Sequence, residues 1–335
     1  MARASVPEVR LSGPLGNTDF AAAIAANKRN TFWLCAILIV IGMALGAVIG
    51  GLVGAFLLSD PIGPNGLPRE MIAAIIIGAG AMLVISLIAA WVALEFGGSI
   101  VTGLAGANTV SEAQEPKLHH VVEEMCIAAG LPKPRIVVID TPALNAFATG
   151  TGSNKAVVGV TRGLLDTMDR DELQGVIAHE MSHIANDDIL YATMVAVLVG
   201  LIVLICDIAR RTSYRTMRFG GGRRKGGALL IAMIILLVFS IIAPIAATLV
   251  RMAISRQREY LADASSVKLT RNPQGLIAAL GKIGASTVRM ESPNRAIQHL
   301  FIDNPIQRFG EQASALMATH PPVGKRIERL LNLGA

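Results

Sequence analysis

The sequence predicts a mainly α integral membrane protein with about four transmembrane helices, and three observations carry that expectation. Of 335 residues, 53% are hydrophobic and only 16% are charged, too apolar for a soluble enzyme of this length. The aromatic share is 4%, so the excess is aliphatic. The apolar residues are also clustered. Residues 31–58 and 71–96 each exceed the ~20 that a bilayer requires. Residues 189–206 and 228–250 are shorter stretches without a charged side chain.

Taken in order, residues 1–30 mix Pro, Gly, Ala and a few charges without periodicity and read as a mobile N-terminal tail. Spans 1 and 2 form a transmembrane hairpin over 31–96, turned by the Pro/Gly segment 60–68. The first span is not a cleaved signal peptide, because it follows a 30-residue polar lead and is too long. Residues 97–188 make the first part of an extramembrane domain. In it Leu118, Val121, Val122, Met125, Cys126 and Ala129 recur at helical spacing, stopped by Gly130 and Pro132. The β-branched run 136–139 and the segments 145–149 and 156–160 read as three strands of a small β-sheet. Asp171 opens an amphipathic helix that carries Leu173, Val176, Ile177, Glu180 and His183 and is expected to run straight into the third apolar segment. Residues 189–250 are a second hydrophobic hairpin with a basic loop at 209–226, and 251–335 supply a mainly helical second part of the domain.

The net charge of +6 has a local origin. Arg210, Arg211, Arg215, Arg218, Arg223, Arg224 and Lys225 carry +7, so the rest is about neutral. With few aromatics among them, these residues suit anionic lipid head groups better than nucleic acid. The three cysteines, two of them in spans, imply no disulfide framework.

The chemistry lies in His179-Glu180-Met181-Ser182-His183, an H-E-x-x-H pattern. Histidines four apart share one helix face, so both can reach one Zn2+ ion per chain. Glu180 stands where a general base takes the proton of a metal-bound water whose pKa zinc lowers to ~7. A third ligand is needed. One protease class places another His ten residues after the first, but that position is Ile189. Glu259 and Asp263, four apart, offer a carboxylate ligand and a partner for a ligand imidazole; a solvated helix face would look the same. Two apolar segments separate His183 from Glu259, and two crossings would return the chain to the same side. His320, in Thr319-His320-Pro321-Pro322, and Arg326 are candidates to stabilise an oxyanion. His119, His120 and His299 read as structural.

Four segments together carry a resemblance: 128–132 with 145–150, 175–186, 255–263, and 319–327. In these the chain resembles the HtpX family of bacterial membrane zinc metalloproteases, relatives of the CAAX-prenyl endopeptidases, over about residues 28–330. The resemblance implies a zincin-type (gluzincin) catalytic domain with Glu259 as third zinc ligand and Asp263 behind it. It implies that Asn145, Ala146, Phe147 and Ala148 form a strand edge pairing with extended substrate, and that His320 and Arg326 lie near the reacting carbonyl. It also implies unfolded or damaged membrane proteins as substrates, under stress, with the site facing the cytoplasm at the bacterial inner membrane. Full crossing by both later segments would then put the basic loop outside, against the positive-inside rule; a hairpin that dips in would not.

Other classes fit less well. A transporter places ionisable residues inside its spans, whereas the centres of these spans hold none. A CAAX-type prenyl-peptide endopeptidase shares the site chemistry but has more spans. A non-enzymatic membrane scaffold would not keep every chemical position intact.

Overall fold

A computed structural model describes residues 20–57, 69–219, 226–288, 290, 297–303 and 321–333. In lipid the backbone must satisfy its own polar groups, so long apolar runs become helices. Helix α1 (Phe20–Leu57) packs along α2 (Arg69–Leu104). Because α1 begins at Phe20, residues 20–30 are helical and do not belong to a loose tail. Small residues let the two backbones touch. A Cβ on Gly46 would meet the Gly78 carbonyl oxygen at 2.4 Å, and one on Gly50 would meet that of Ala74 at 2.1 Å.

The extramembrane part is built on a four-stranded sheet of order β1-β2-β4-β3. Its strands are β1 (Ala107–Thr109), β2 (Arg135–Ile139), β3 (Ala146–Thr149) and β4 (Val157–Thr161). Only β2 and β4 run parallel. The pleat sends alternate side chains to opposite faces. Ile136, Val138, Val158 and Val160 pack with α3 (Pro116–Ala129), α5 (Arg170–Ala185) and α8 (Pro273–Ala285) in one core. Val137, Ile139, Phe147 and Val157 face the other way, onto Val101, Ala196, Leu300 and Phe301. Helix α3 ends where Gly130 turns left-handed (φ 65°), which lets Leu131 donate to the Cys126 carbonyl.

Two local devices fix α5, which carries the H-E-x-x-H residues. After the short helix α4 (Arg162–Thr167), Asp169 and Glu172 form a reciprocal capping box at its start. Lys282 of α8 reaches the same Glu172 carboxylate at 2.6 Å. Along its length α5 presses on α8 so closely that a Cβ on Gly175 would meet the Leu276 nitrogen at 2.5 Å.

Helix α5 does not run straight into the third apolar segment. It ends at Ala185, Asp187 adopts φ 57°, and a separate helix α6 (Asp188–Phe219) starts at the next residue. Thr193 of α6 accepts a bond from the Gly150 amide at 3.0 Å, tying α6 to the end of β3. Helix α6 extends through Phe219, so most of the basic stretch is helical rather than loop. Helix α7 (Gly226–Thr270) then carries the fourth apolar stretch and Glu259 on one continuous helix. Helix α9 (Val323–Leu333) closes the described chain against α8. Among the described residues, three stretches are long and apolar enough to cross a bilayer: Thr31–Gly54, Arg69–Leu104 and Asp188–Ile208. Most side chains of 228–250 lie outside the described residues.

The Gly175 contact yields a stability prediction. Gly175→Ala, which drives a methyl into the α8 backbone, should destabilise the protein by about 1–3 kcal/mol. A fall in thermal midpoint of purified protein, against an unchanged Gly281→Ala control whose Cβ meets nothing, would check it.

Candidate metal centre

Three side chains from two helices converge between the sheet and the apolar helices. His179 and His183 come from one face of α5, and Glu259 comes from α7. Their ligand-type atoms all lie within 4.8 Å of one another. The two Nε2 atoms are 3.2 Å apart, and each lies 3.6 Å from an oxygen of Glu259. Donors bonded at ~2 Å to a tetrahedral ion stand about 3.3 Å apart, so the set fits one metal ion with three protein ligands.

The other ring nitrogens are also engaged. Nδ1 of His179 meets Asp263 Oδ1 at 3.0 Å, and Nδ1 of His183 meets Asp188 Oδ2 at 3.1 Å. With Nδ1–H donated to a carboxylate, each ring presents its Nε2 lone pair to the common point. Asp263 is held in turn by Arg326 of α9, which donates to it from Nε at 2.9 Å and from its terminal nitrogen at 2.6 Å. Arg326 is 0% exposed and also donates to the Ile302 carbonyl at 3.2 Å. Its guanidinium also stands 3.5 Å from the Glu259 carboxylate, so one buried cation lies against two of the three converging side chains. His320 lies outside the described residues.

A cavity opens over the ligands. Glu180, Asp188, Tyr191, Arg258 and Ala148 line it together with the segment His299–Ile302. That segment changes the picture of the strand edge. The outer side of β3 is partly taken by the chain itself: Ile302 donates to the Ala146 carbonyl at 2.9 Å, and Phe147 bridges antiparallel to Phe301. Asn145 exchanges bonds with the Asp303 backbone, donating from Nδ2 at 2.9 Å and accepting at Oδ1 from the amide at 3.3 Å. Of the four residues 145–148, only Ala148 faces the cavity.

Electrostatics follow from burial. Burial pushes the Glu180 carboxyl above the usual range, partly offset by His179 and His183. Burial and the Arg326 charge press His179 down, but bonds to Asp263 and Glu259 outweigh both and lift it to about 9. Burial pushes Asp263 up, yet Arg326 and His179 hold it low overall.

Asp188 and Arg258 are the residues that sequence reasoning missed. No motif or local spacing marks either of them, because what places them is the break before α6 and the packing of α7. His299 read as structural but lines the cavity, its Nε2 at 3.0 Å from the Ala192 carbonyl. His119 and His120 lie away from the site, at the Val110 carbonyl and at Glu112.

Residues 112–333, more than half of the chain, match Peptidase family M48. The Protease HtpX homolog of Streptococcus gordonii is 42% identical over 313 residues, covering 92% of this chain and 97% of that one. The chain belongs to the HtpX proteases of family M48. The HtpX homolog of Thermoanaerobacter pseudethanolicus is 46% identical over 244 residues, 72% of this chain and 80% of that one. Among solved structures, S. mikatae Ste24p aligns at 18% identity with a TM-score of 0.45, over 78% of this chain and 58% of that one. As an HtpX protease of family M48, the chain is a membrane-bound metalloendopeptidase acting on protein substrates, and His179, His183 and Glu259 form a group that could bind its metal.

The lifted His179 pKa sets a sign for metal affinity. A ligand nitrogen must lose its proton before it binds metal. The raised pKa stabilises the metal-free fold at lower pH, and that contribution is lost as pH rises through about 9. Metal affinity should therefore climb from pH 6.5 towards 9, with proton release on binding. Competition against a chelator of known affinity at several pH values measures it; a flat profile would count against the His179–Asp263 pairing.

Proposed function

We propose that this HtpX protease cleaves misfolded or damaged membrane proteins with one Zn2+ ion held by His179, His183 and Glu259. The observation that carries the reading is the meeting of two imidazole Nε2 atoms and one carboxylate at a single point on the wall that also bears Glu180. Two nitrogens and one oxygen from protein leave a fourth position open, the pattern of a hydrolytic rather than a structural zinc site. When bound, zinc would supply an acidified water and polarise the scissile carbonyl.

The protein's own residues do the rest. Glu180, its carboxyl raised by burial, accepts a proton during attack and passes it to the leaving amine. Asp263 and Arg326 keep the His179 ring turned to the metal, and His320 completes oxyanion stabilisation. An extended substrate meets β3 at its Ala148 end, while Asn145, Ala146 and Phe147 hold the segment 301–303 that borders the entrance. Backbone pairing of that kind reads few side chains, which suits a protease of damaged proteins.

The topology that fits best has four spans, with 228–250 as the fourth, and the metal centre on the cytoplasmic side of the bacterial inner membrane. Cysteine substituted for Thr216 or Gly221, in a chain freed of its native cysteines, should then label in intact spheroplasts; labelling only after permeabilisation would rule out full crossing.

Metal analysis and casein-type cleavage by detergent-purified protein, with and without a chelator, test the chemistry. Glu180→Gln should keep stoichiometric zinc while cleavage falls by about 10²–10⁴-fold. Glu259→Ala should lose zinc. Full proteolysis by the Glu180→Gln protein would sink the mechanism.

A further inference from the structure

The two histidines are supported from behind by matching devices. Behind His179 stand Asp263 and then Arg326. Behind His183 stands Asp188, with Oδ2 at 3.1 Å from the ring, and its other oxygen faces Arg258 Nε at 3.6 Å. Arg258 is buried, with its guanidinium carbon 3.8 Å over the Tyr191 ring. None of its three guanidinium nitrogens finds a hydrogen-bond acceptor among the described residues. Among the described residues, the charge of Asp188 and the face of the Tyr191 ring are what it meets.

The placement of Asp188 depends on the break between α5 and α6. On an unbroken helix a residue five after His183 would point about 140° away from it. The turn at Asn186–Asp187, with φ 57° at Asp187, brings the carboxylate back beneath the ring. A buried carboxylate in that position needs a counter-charge, and Arg258, the residue before Glu259, supplies one.

We propose that Asp188, charge-compensated by Arg258, is the positioning carboxylate of His183. It keeps the ring in the Nδ1–H tautomer and turns Nε2 to the metal. Because Asp188 and Tyr191 form the first turn of an apolar helix, and Arg258 and Glu259 adjoin on α7, the orientation of one ligand is set from α6 and locked by the helix that brings another. This rests on the reading of His179, His183 and Glu259 as the metal centre.

The test is zinc affinity, measured by chelator competition on full-length protein in detergent. Asp188→Asn should bind zinc about 10–100-fold more weakly, the usual cost of losing such a partner. Arg258→Gln should weaken it in the same direction, and Arg258→Lys, which keeps the charge, should recover most of the loss. If Arg258 acts through Asp188, adding Arg258→Gln to Asp188→Asn costs little further affinity. The double variant also removes both buried charges together, so it serves if Asp188→Asn alone does not fold. A shifted visible spectrum of the cobalt-loaded Asp188→Asn protein would report the altered ligand field directly. Wild-type affinity in Asp188→Asn, or fully additive losses in the double variant, would overturn the proposal. Failure of the unaltered protein to bind zinc would instead overturn the metal-centre reading beneath it.

Discussion

Seven buried polar side chains have to satisfy one another at the junction of α5, α6, α7 and α9, and the rest of the structure is arranged so that they can. Asp188, Arg258, Glu259, Asp263 and Arg326 are each less than a tenth exposed, and His179 and Glu180 are almost wholly enclosed. A buried charge without a partner costs several kcal/mol, so removing any one of these groups strands its neighbours. The array is tolerable only because cations and carboxylates alternate: Arg326 with Asp263 at 2.6 Å, Arg258 with Asp188 at 3.6 Å, and the imidazoles between. The arrangement presents two Nε2 atoms and a carboxylate to the same point.

Holding that geometry falls to close backbone packing. Helix α5 is seated by contact at Gly175 and by the capping box that Lys282 reinforces. On the sheet, Phe147 lies across Gly159, where a Cβ would meet its ring at 2.1 Å, and Phe301 stacks edgewise on Phe147 at 5.4 Å. The segment 299–303 is thereby part of the wall of the cavity and of the core at once. Its Ile302 carbonyl also takes a bond from Arg326, so the border of the entrance and the support of His179 share one arginine.

The metal centre is also joined to the membrane-facing part. His183 on α5 and Glu259 on α7 are linked in sequence through α6, whose first turn carries Asp188 and Tyr191 and whose Thr193 is bonded to the end of β3. An apolar helix that shifted relative to the sheet would move the partner of one ligand while the helix bearing another followed it.

By itself the sequence determined the long apolar helices and the pattern of residues that could bind a metal. Apolar runs longer than ~20 residues can only be satisfied as helices in lipid, so α1 and α2 were legible from composition. The spacing of His179 and His183 placed both rings on one face, because an α-helix repeats every 3.6 residues. Glu259 and Asp263 were legible as a pair but not as a ligand and its neighbour, since the same spacing serves a solvated face. Tertiary structure alone decided what depends on contacts between distant segments. It set Arg326 against Asp263, Glu259 and the Ile302 carbonyl at once, three partners that lie far apart in sequence. It laid residues 301–303 along β3, where backbone pairing leaves no mark in side-chain pattern. It also recruited Asp188 through a break in helix that periodicity smooths over, and set Arg258 against it through a helix pairing that no local spacing encodes.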